Sequence, residues 1–183
     1  MTQNPAADRP AHVAIVTVSD RAASGEYEDK GGPGAEDWLH ATITSPMDIT
    51  RRIIPDGREI VADCLRDLAD EQGADLILIT GGTGPAPRDQ TPEAMADVIE
   101  KELPGFGEEM RRASLREVPT AILSRQTAGI RGATLMITIP GKPSAIATCL
   151  DAVFAAVPYC LDLIGAAYIE TDPARIKAFR PKK

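Results

Sequence analysis

Histidine and cysteine are scarce: His12 and His40, and Cys64, Cys149 and Cys160, in 183 residues. No two cysteines lie at metal-ligand spacing, which argues against a zinc site. The odd count leaves a free thiol, and each cysteine falls in an apolar helical pattern, so all three read as small core residues in a reducing compartment. Positive charge is also short. Twenty Lys and Arg face 27 Asp and Glu, a net charge of −7. That balance excludes a nucleic-acid backbone as the main partner and requires any anionic ligand to meet a local positive site. No apolar run approaches the ~20 residues of a membrane span. The polar stretch Met1–His12 lacks the apolar core of a signal peptide, so a cytoplasmic location is expected. Repeats, low-complexity segments and interdomain linkers are missing, and the length suits one domain. Two phosphate motifs are missing as well. There is no G-x-x-x-x-G-K-[ST], and the G-x-G-x-x-G begun by Gly82-Thr83-Gly84 ends on Pro87.

Hydrophobic residues make up 43% of the chain, the level of a globular protein. The stretch from Leu76 to Met95 organises the rest. Leu76–Ile79 reads as a short buried strand. Thr80-Gly81-Gly82-Thr83-Gly84-Pro85 can neither continue a strand nor start a helix, and its glycines let a ligand approach bare backbone. Arg88 and Asp89 follow. Thr91 then reads as an N-cap with Pro92 at the first helical position. Strand, glycine loop, charged pair and helix N-terminus together form an anion site suited to phosphate. A plain β-to-α connection would account for a lone glycine pair; Arg88, Asp89 and the third glycine favour the site.

In chain order, residues 1–11 are expected to be a disordered lead-in. His12–Val18 reads as a buried parallel strand ending at Ser19-Asp20-Arg21, followed by a long polar loop to Gly34. A helix is expected over Gly34–Ile43 and a strand over Ile49–Ile54. The turn Pro55-Asp56-Gly57 puts Asp56 at a strand's carboxyl end. Arg58–Gln72 is an amphipathic helix stopped by Gly73. Helices are expected over Thr91–Leu103 and Glu108–Leu115, the second with Met110, Ala113 and Ser114 inward and a basic cluster of Arg111, Arg112 and Arg116. Gln126–Arg131 and Thr134–Ile139 read as strands around Gly132-Ala133. Gly141, Lys142 and Ser144 form a second glycine-bearing loop into a helix. Ser144–Ala156 and Tyr159–Ile164 are apolar on more than one side, with Pro158 as the break. The order βαβαβα implies a three-layer α/β/α fold: a mostly parallel central sheet with one added antiparallel hairpin, in a single domain over residues 12–170, then a mobile basic tail over 171–183.

With these residues in view, the chain resembles the bacterial molybdopterin adenylyltransferases, the Mog type of the molybdopterin-binding fold. The resemblance runs from about His12 to Pro181. It rests on Ser19-Asp20-Arg21, Asp29-Lys30-Gly31, Pro55-Asp56, Thr80 to Pro85 with Arg88-Asp89, and Thr91-Pro92. It continues through Pro104-Gly105-Phe106-Gly107, the Pro119–Arg125 run, Pro140-Gly141 with Pro143, and Val157-Pro158-Tyr159-Cys160. The glycine run marks the fold; Phe106-Gly107 and Pro119–Arg125 are closer to the Mog branch. One departure is a short segment between Leu150 and Phe154, where some relatives carry an insertion; a changed surface loop is expected there.

The resemblance implies adenylyl transfer from ATP to the terminal phosphate of molybdopterin, with Mg²⁺ or a similar divalent cation, giving adenylylated molybdopterin and pyrophosphate. It also implies a homotrimer and transient contact with a molybdenum-insertion protein. Asp56 and Asp89 are by resemblance the catalytic pair, and two carboxylates suit Mg²⁺. The Gly81, Gly82, Thr83 and Gly84 loop holds a phosphate, and Arg88 and Lys142 offset its charge. Asp20, Ser19, Ser114, Gly141 and Ser144 complete the expected substrate contacts. A binding and delivery module of the same fold is the alternative, and an unrelated nucleotide-dependent α/β enzyme a third.

Overall fold

Residues 9–182 are described by a computed structural model. Of the expected disordered lead-in over residues 1–11, residues 1–8 lie outside the described residues, while the rest is ordered: Arg9 pairs with the buried Asp75 carboxylate and Ala11 opens the first strand. The first strand, β1 (Ala11–Val18), is buried on both faces, as its apolar and β-branched run requires. It pairs in parallel with β2 (Met47–Ile54) on one side and β3 (Leu76–Thr80) on the other, placing Val13 between Ile49 and Leu76. β3 pairs in parallel with β6 (Thr134–Ile139), and β5 (Ala128–Arg131) turns back against β6. A two-residue strand, β4 (Lys101–Glu102), pairs antiparallel with β5. The six-stranded order is β2-β1-β3-β6-β5-β4. The expected mostly parallel sheet with an antiparallel hairpin is thus observed, plus one edge strand.

Helices cover both faces. On one lie α2 (Gly31–Thr42), α5 (Pro104–Ser114), α6 (Pro143–Val153) and α7 (Val157–Ile164), around a core that includes Trp38, Leu78, Ile137 and Phe154. The Trp38 and Phe154 rings meet edge-on at 4.8 Å. On the other lie α3 (Arg58–Arg66) and α4 (Thr91–Val98), packed on Ala14, Val16, Ile77 and Ile79. The three-layer architecture follows from strands apolar on both sides, which need cover on both.

Several boundaries differ from expectation for local reasons. A short helix, α1 (Asp20–Ala23), occupies the start of the long polar loop, capped by Ser19, whose Oγ accepts from the Ala22 amide. α2 begins at Gly31 because the Asp29 carboxylate accepts from the Gly31 and Gly32 amides and from the Thr17 hydroxyl. α3 continues past Arg66 as a π turn, Asp67–Glu71, and Gly73 reverses the chain at φ 63°. α4 stops at Val98, not Leu103, because Ile99 turns extended and the chain enters β4. α5 starts at Pro104, a proline in the first turn, where its missing N–H costs nothing. Pro158 likewise opens α7; the break before it is a 3₁₀ turn, Phe154–Ala156. The Leu150–Phe154 segment is helix and 3₁₀ turn, with Leu150, Val153 and Phe154 buried, and not a surface loop. By length and composition Pro143–Ile164 could cross a membrane, against the sequence expectation. Here its apolar side, from Ile146 to Leu161, packs in the core.

Of the expected mobile tail over 171–183, the described residues 171–182 are attached to the domain. Thr171 bridges to Ile43, Ile176 is buried, and the Phe179 amide donates to the Ala155 carbonyl at 2.9 Å. Arg180 donates to the Asp162 carboxylate and the Ile169 carbonyl, with its guanidinium 4.3 Å over the Tyr168 ring.

Candidate active site

The carboxyl ends of β1, β2, β3 and β6 point to one edge of the sheet, where an open α/β sheet holds its ligands. β1 and β3 are neighbours whose connections leave in opposite directions, so the crevice opens between Val18 and Thr80. The glycine loop leaves β3 there. Gly81 has φ 103° and sits so close to β1 that a Cβ would meet the Val18 carbonyl oxygen at 2.3 Å. Gly82 has φ 62°, and a Cβ on it would meet the Thr91 Oγ1 at 2.2 Å. These two glycines are therefore required by the loop's own fold, whatever binds it.

Thr91 acts differently from the expected N-cap. Gln90 holds the cap position of α4, while Thr91 fastens the loop. Its hydroxyl donates to the Gly81 carbonyl at 3.0 Å and its amide to the Gly82 carbonyl at 3.1 Å. Pro92 has no N–H, so the first two positions of α4 offer no free donor to a phosphate. The Gly81 amide is also engaged, donating to the Ile139 carbonyl at 3.1 Å. The donors left on the loop are the Gly82, Thr83 and Gly84 amides, which have no backbone partner among the described residues. The expected anion site thus shifts from the helix end to the loop's crest.

That crest separates two cavities. The smaller, about 120 Å³, is polar and takes in Ser19, Asp20 and Arg21 from the end of β1, Asp56 from the end of β2, and Gly82, Arg88 and Asp89 from the loop. The larger, about 380 Å³, has walls of Pro85, Val118, Ala121, Leu123, Pro140 and Ala145. Its polar groups include Thr83, Ser114, Glu117, Ser124, Lys142 and Ser144, with the Gly84 backbone at its edge. A mostly apolar cavity of this size with a few polar groups suits a heterocycle.

The sequence-derived residues thus divide in two. Asp20, Ser19, Asp56, Gly82, Arg88 and Asp89 line the polar cavity, and Thr83, Gly84, Ser114, Lys142 and Ser144 the apolar one. Gly81 and Gly141 line neither. A Cβ on Gly141 would lie 3.5 Å from the Gly81 Cα, so both pack beneath the loop.

The acids of the polar cavity are held by backbone. The Asp20 amide donates to Asp56 Oδ2 and the Asp56 amide to Asp20 Oδ1, both at 3.0 Å, tying the two strand ends together. Asp89 Oδ2 accepts from the Ala86 amide at 3.1 Å, closing the loop on itself. Each of the three carboxylates keeps a second oxygen with no protein donor among the described residues. Arg88 forms no ion pair among the described residues, and Arg21 lies 5.6 Å over the Tyr27 ring. No group of three or more His, Cys, Asp or Glu side chains suited to a metal occurs among the described residues. The acids suit a hard cation that takes one or two carboxylates and fills its shell with water and substrate oxygens.

Sequence reasoning left several neighbours without a role. Arg21 shares the polar cavity, and its signal was its place beside Asp20. Buried Gln126 reaches the floor of the apolar cavity, donating to Cys149 Sγ at 3.5 Å. Burial pushes the Cys149 thiol up, and keeps it neutral beneath that floor. Of the expected basic cluster, Arg111 turns inward to the Gln126 carbonyl at 2.8 Å and Arg112 pairs with Glu109.

Comparison with known proteins identifies the family. Residues 14–159 match the family described as a probable molybdopterin binding domain. The chain is 49% identical over 172 residues to the molybdopterin adenylyltransferase of Helicobacter pylori strain J99, covering 94% of this chain and 98% of that one. To the Escherichia coli K12 molybdopterin adenylyltransferase it is 47% identical over 182 residues, with 93% of each chain covered. The solved molybdopterin biosynthesis Mog protein of Mycobacterium ulcerans shares 37% identity at a TM-score of 0.78, covering 84% of this chain and 99% of that one. The Thermus thermophilus molybdopterin biosynthesis enzyme MoaB shares 40% at 0.77, covering 85% and 96%. A family match across residues 14–159, with 47–49% identity to curated proteins over nearly the whole chain, shows that the chain belongs to the molybdopterin-binding domain family, among relatives named molybdopterin adenylyltransferase.

Proposed function

We propose that the chain transfers the adenylyl group of ATP to the terminal phosphate of molybdopterin, releasing pyrophosphate. The observation that carries this reading is the juxtaposition of a polar, acid-lined cavity and an apolar one across the crest of one glycine loop. The nucleophile is a phosphate monoester, largely dianionic near neutral pH because its second pKa is about 6. Its oxygen attacks the α-phosphorus of ATP. The new P–O–P bond forms as the bond to the β-phosphate oxygen breaks, and pyrophosphate leaves with the electron pair. No general base is needed, so the residues have to bring two polyanions together and offset their charge.

Each cavity supplies part of that task. Asp56 and Asp89 would hold Mg²⁺ through their unengaged oxygens, with Asp20 alongside. Mg²⁺, when bound, neutralises phosphate charge during transfer. Arg88 contributes a cation without a carboxylate of its own. The Gly82, Thr83 and Gly84 amides hold a phosphate at the boundary, and the apolar cavity takes a heterocycle, with Lys142 and Ser144 at its mouth. Both acids are held by backbone amides with oxygens to spare, which favours catalysis over the alternative of binding and delivery alone, since bare acids weaken the binding of a polyanion. The assembly proposed with this activity is a homotrimer in the cytoplasm, in transient contact with a molybdenum-insertion protein.

Pyrophosphate release tests the reading. It is expected only when molybdopterin, ATP and Mg²⁺ are all present. Molybdopterin binding with no pyrophosphate under any condition would leave the delivery module as the function.

A further inference from the structure

Besides Thr91, the loop that separates the two cavities is held from outside by Arg125. Arg125 follows the 3₁₀ turn Pro119–Leu123. Its amide donates to the Thr83 carbonyl at 2.8 Å, and its Nε to the Gly84 carbonyl at 3.0 Å. Its Nη2 donates to the carbonyl of Asp89, and its Nη1 to the Glu93 carboxylate in the first turn of α4. A single guanidinium thus fastens the start of the loop, its far end and the helix that follows. Only a planar fork with several donors can do this; an ammonium reaches fewer acceptors in fixed geometry. Pro119–Leu123 also supplies Thr120, Ala121 and Leu123 to the wall of the apolar cavity. Arg125 therefore joins that wall to the backbone of Asp89 in the polar cavity.

Glu93 holds Arg125 in place. Its second oxygen, Oε2, is buried without a hydrogen-bond partner among the described residues. The hydrogen bond from Arg125 is the main cause holding its carboxyl below the usual glutamate range. Glu93 also lies too far back in the helix start to line either cavity.

We infer that Arg125, held by Glu93, is a positioning residue: it sets Asp89 and the Thr83–Gly84 crest relative to the apolar wall, and so aligns the two substrates. This rests on the adenylyl-transfer reading for its kinetic consequence, but the clamp itself is a property of the fold. Moving reacting groups by about 1 Å can cost about 100-fold in rate.

The test uses the full chain and three variants, Arg125→Met, Arg125→Lys and Glu93→Gln. Arg131→Met is the control. Arg131 also forks onto a carboxylate, Asp70, and a carbonyl, that of Val98, but away from both cavities. Single-turnover pyrophosphate release should fall about 100-fold in Arg125→Met and less in the other two. The Mg²⁺ concentration for half-maximal rate should rise in Arg125→Met, because the backbone of Asp89 is released. Hydrogen exchange supplies the readout that does not need activity. The Ala86 and Asp89 amides, which close the loop, should exchange at least about 10-fold faster in Arg125→Met and as in wild type in Arg131→Met. Wild-type exchange in Arg125→Met, wild-type kinetics with faster exchange, or an equal kinetic loss in Arg131→Met would each overturn the inference. If the wild-type protein releases no pyrophosphate at all, the adenylyl-transfer reading fails, and exchange still decides whether the clamp exists.

Discussion

Replacing Asp89 by Asn separates the two tasks that its carboxylate performs. Oδ2 accepts from the Ala86 amide and closes the loop, while the other oxygen faces the polar cavity with no protein donor among the described residues. Asn can keep its carbonyl oxygen on the Ala86 amide and put its NH₂ into the cavity. The loop then exchanges a charge-assisted hydrogen bond for a neutral one, a loss of about 1 kcal/mol. For a chain of this size that lowers the midpoint by roughly 2–4 °C. Catalysis should suffer far more, because an NH₂ group repels the cation that the carboxylate attracts. By analogy with the loss of one preorganised electrostatic contact, the rate should fall about 10²–10³-fold. Asp89→Ala should lose the rate and also the loop closure; the Ala86 amide is exposed, so water takes over its hydrogen bond and the stability loss should be only about 1 kcal/mol. The assay is single-turnover pyrophosphate release against Mg²⁺ concentration, with thermal unfolding and molybdopterin binding for each variant. Molybdopterin affinity should hold or rise in Asp89→Asn, since one negative charge near its phosphate is gone. A wild-type rate in Asp89→Asn would remove this carboxylate from the mechanism, and a collapse of molybdopterin binding would assign it to holding the substrate instead.

Gly81→Ala should destabilise the fold even without ligand, because its Cβ meets the Val18 carbonyl at 2.3 Å and φ is 103°; a midpoint matching wild type would refute the packing argument. Gly82→Val should fail for the same internal reason, seen as loss of structure in the loop before any loss of molybdopterin binding. Glu93 has its folded pKa lowered by Arg125, so its contribution is present above the ordinary glutamate pKa of about 4.3 and is lost as pH falls through the lower folded value. Exchange of the Ala86 and Asp89 amides should therefore accelerate only in acid, below the ordinary glutamate range. Burial raises the Cys64, Cys149 and Cys160 thiols, so alkylation at neutral pH should be slow until the protein is unfolded. Sedimentation at micromolar concentration should give a trimer, and a stable monomer would remove that part of the proposal.

The sequence alone determined the elements whose signals are local. Continuous apolar runs made β1 and β3 readable as buried parallel strands, and turn residues ended them where the structure does, within a residue or two. Polar residues just past the ends of β1 and β2 pointed to Asp20 and Asp56, since parallel strands finish at one edge; the pairing of Asp56 with Asp89 as catalytic acids came from the family resemblance. What only the tertiary structure decided is how each donor is used. Nothing in the sequence around Thr91 shows that its hydroxyl and amide face back to Gly81 and Gly82, or that the Gly81 amide is taken by Ile139, 58 positions away by subtraction of their numbers. The C-terminal stretch reads as a loose tail because its anchors, Asp162 and Ile43, belong to other elements. Arg125 is legible only as the end of the Pro119–Arg125 run that carries the family resemblance, with no role assigned to it. Three of its four acceptors lie 32 to 41 positions earlier in the chain, and the fourth is no nearer. Local propensity reports what a segment does with its own neighbours; hydrogen bonds between distant segments exist only once the sheet has brought their ends together.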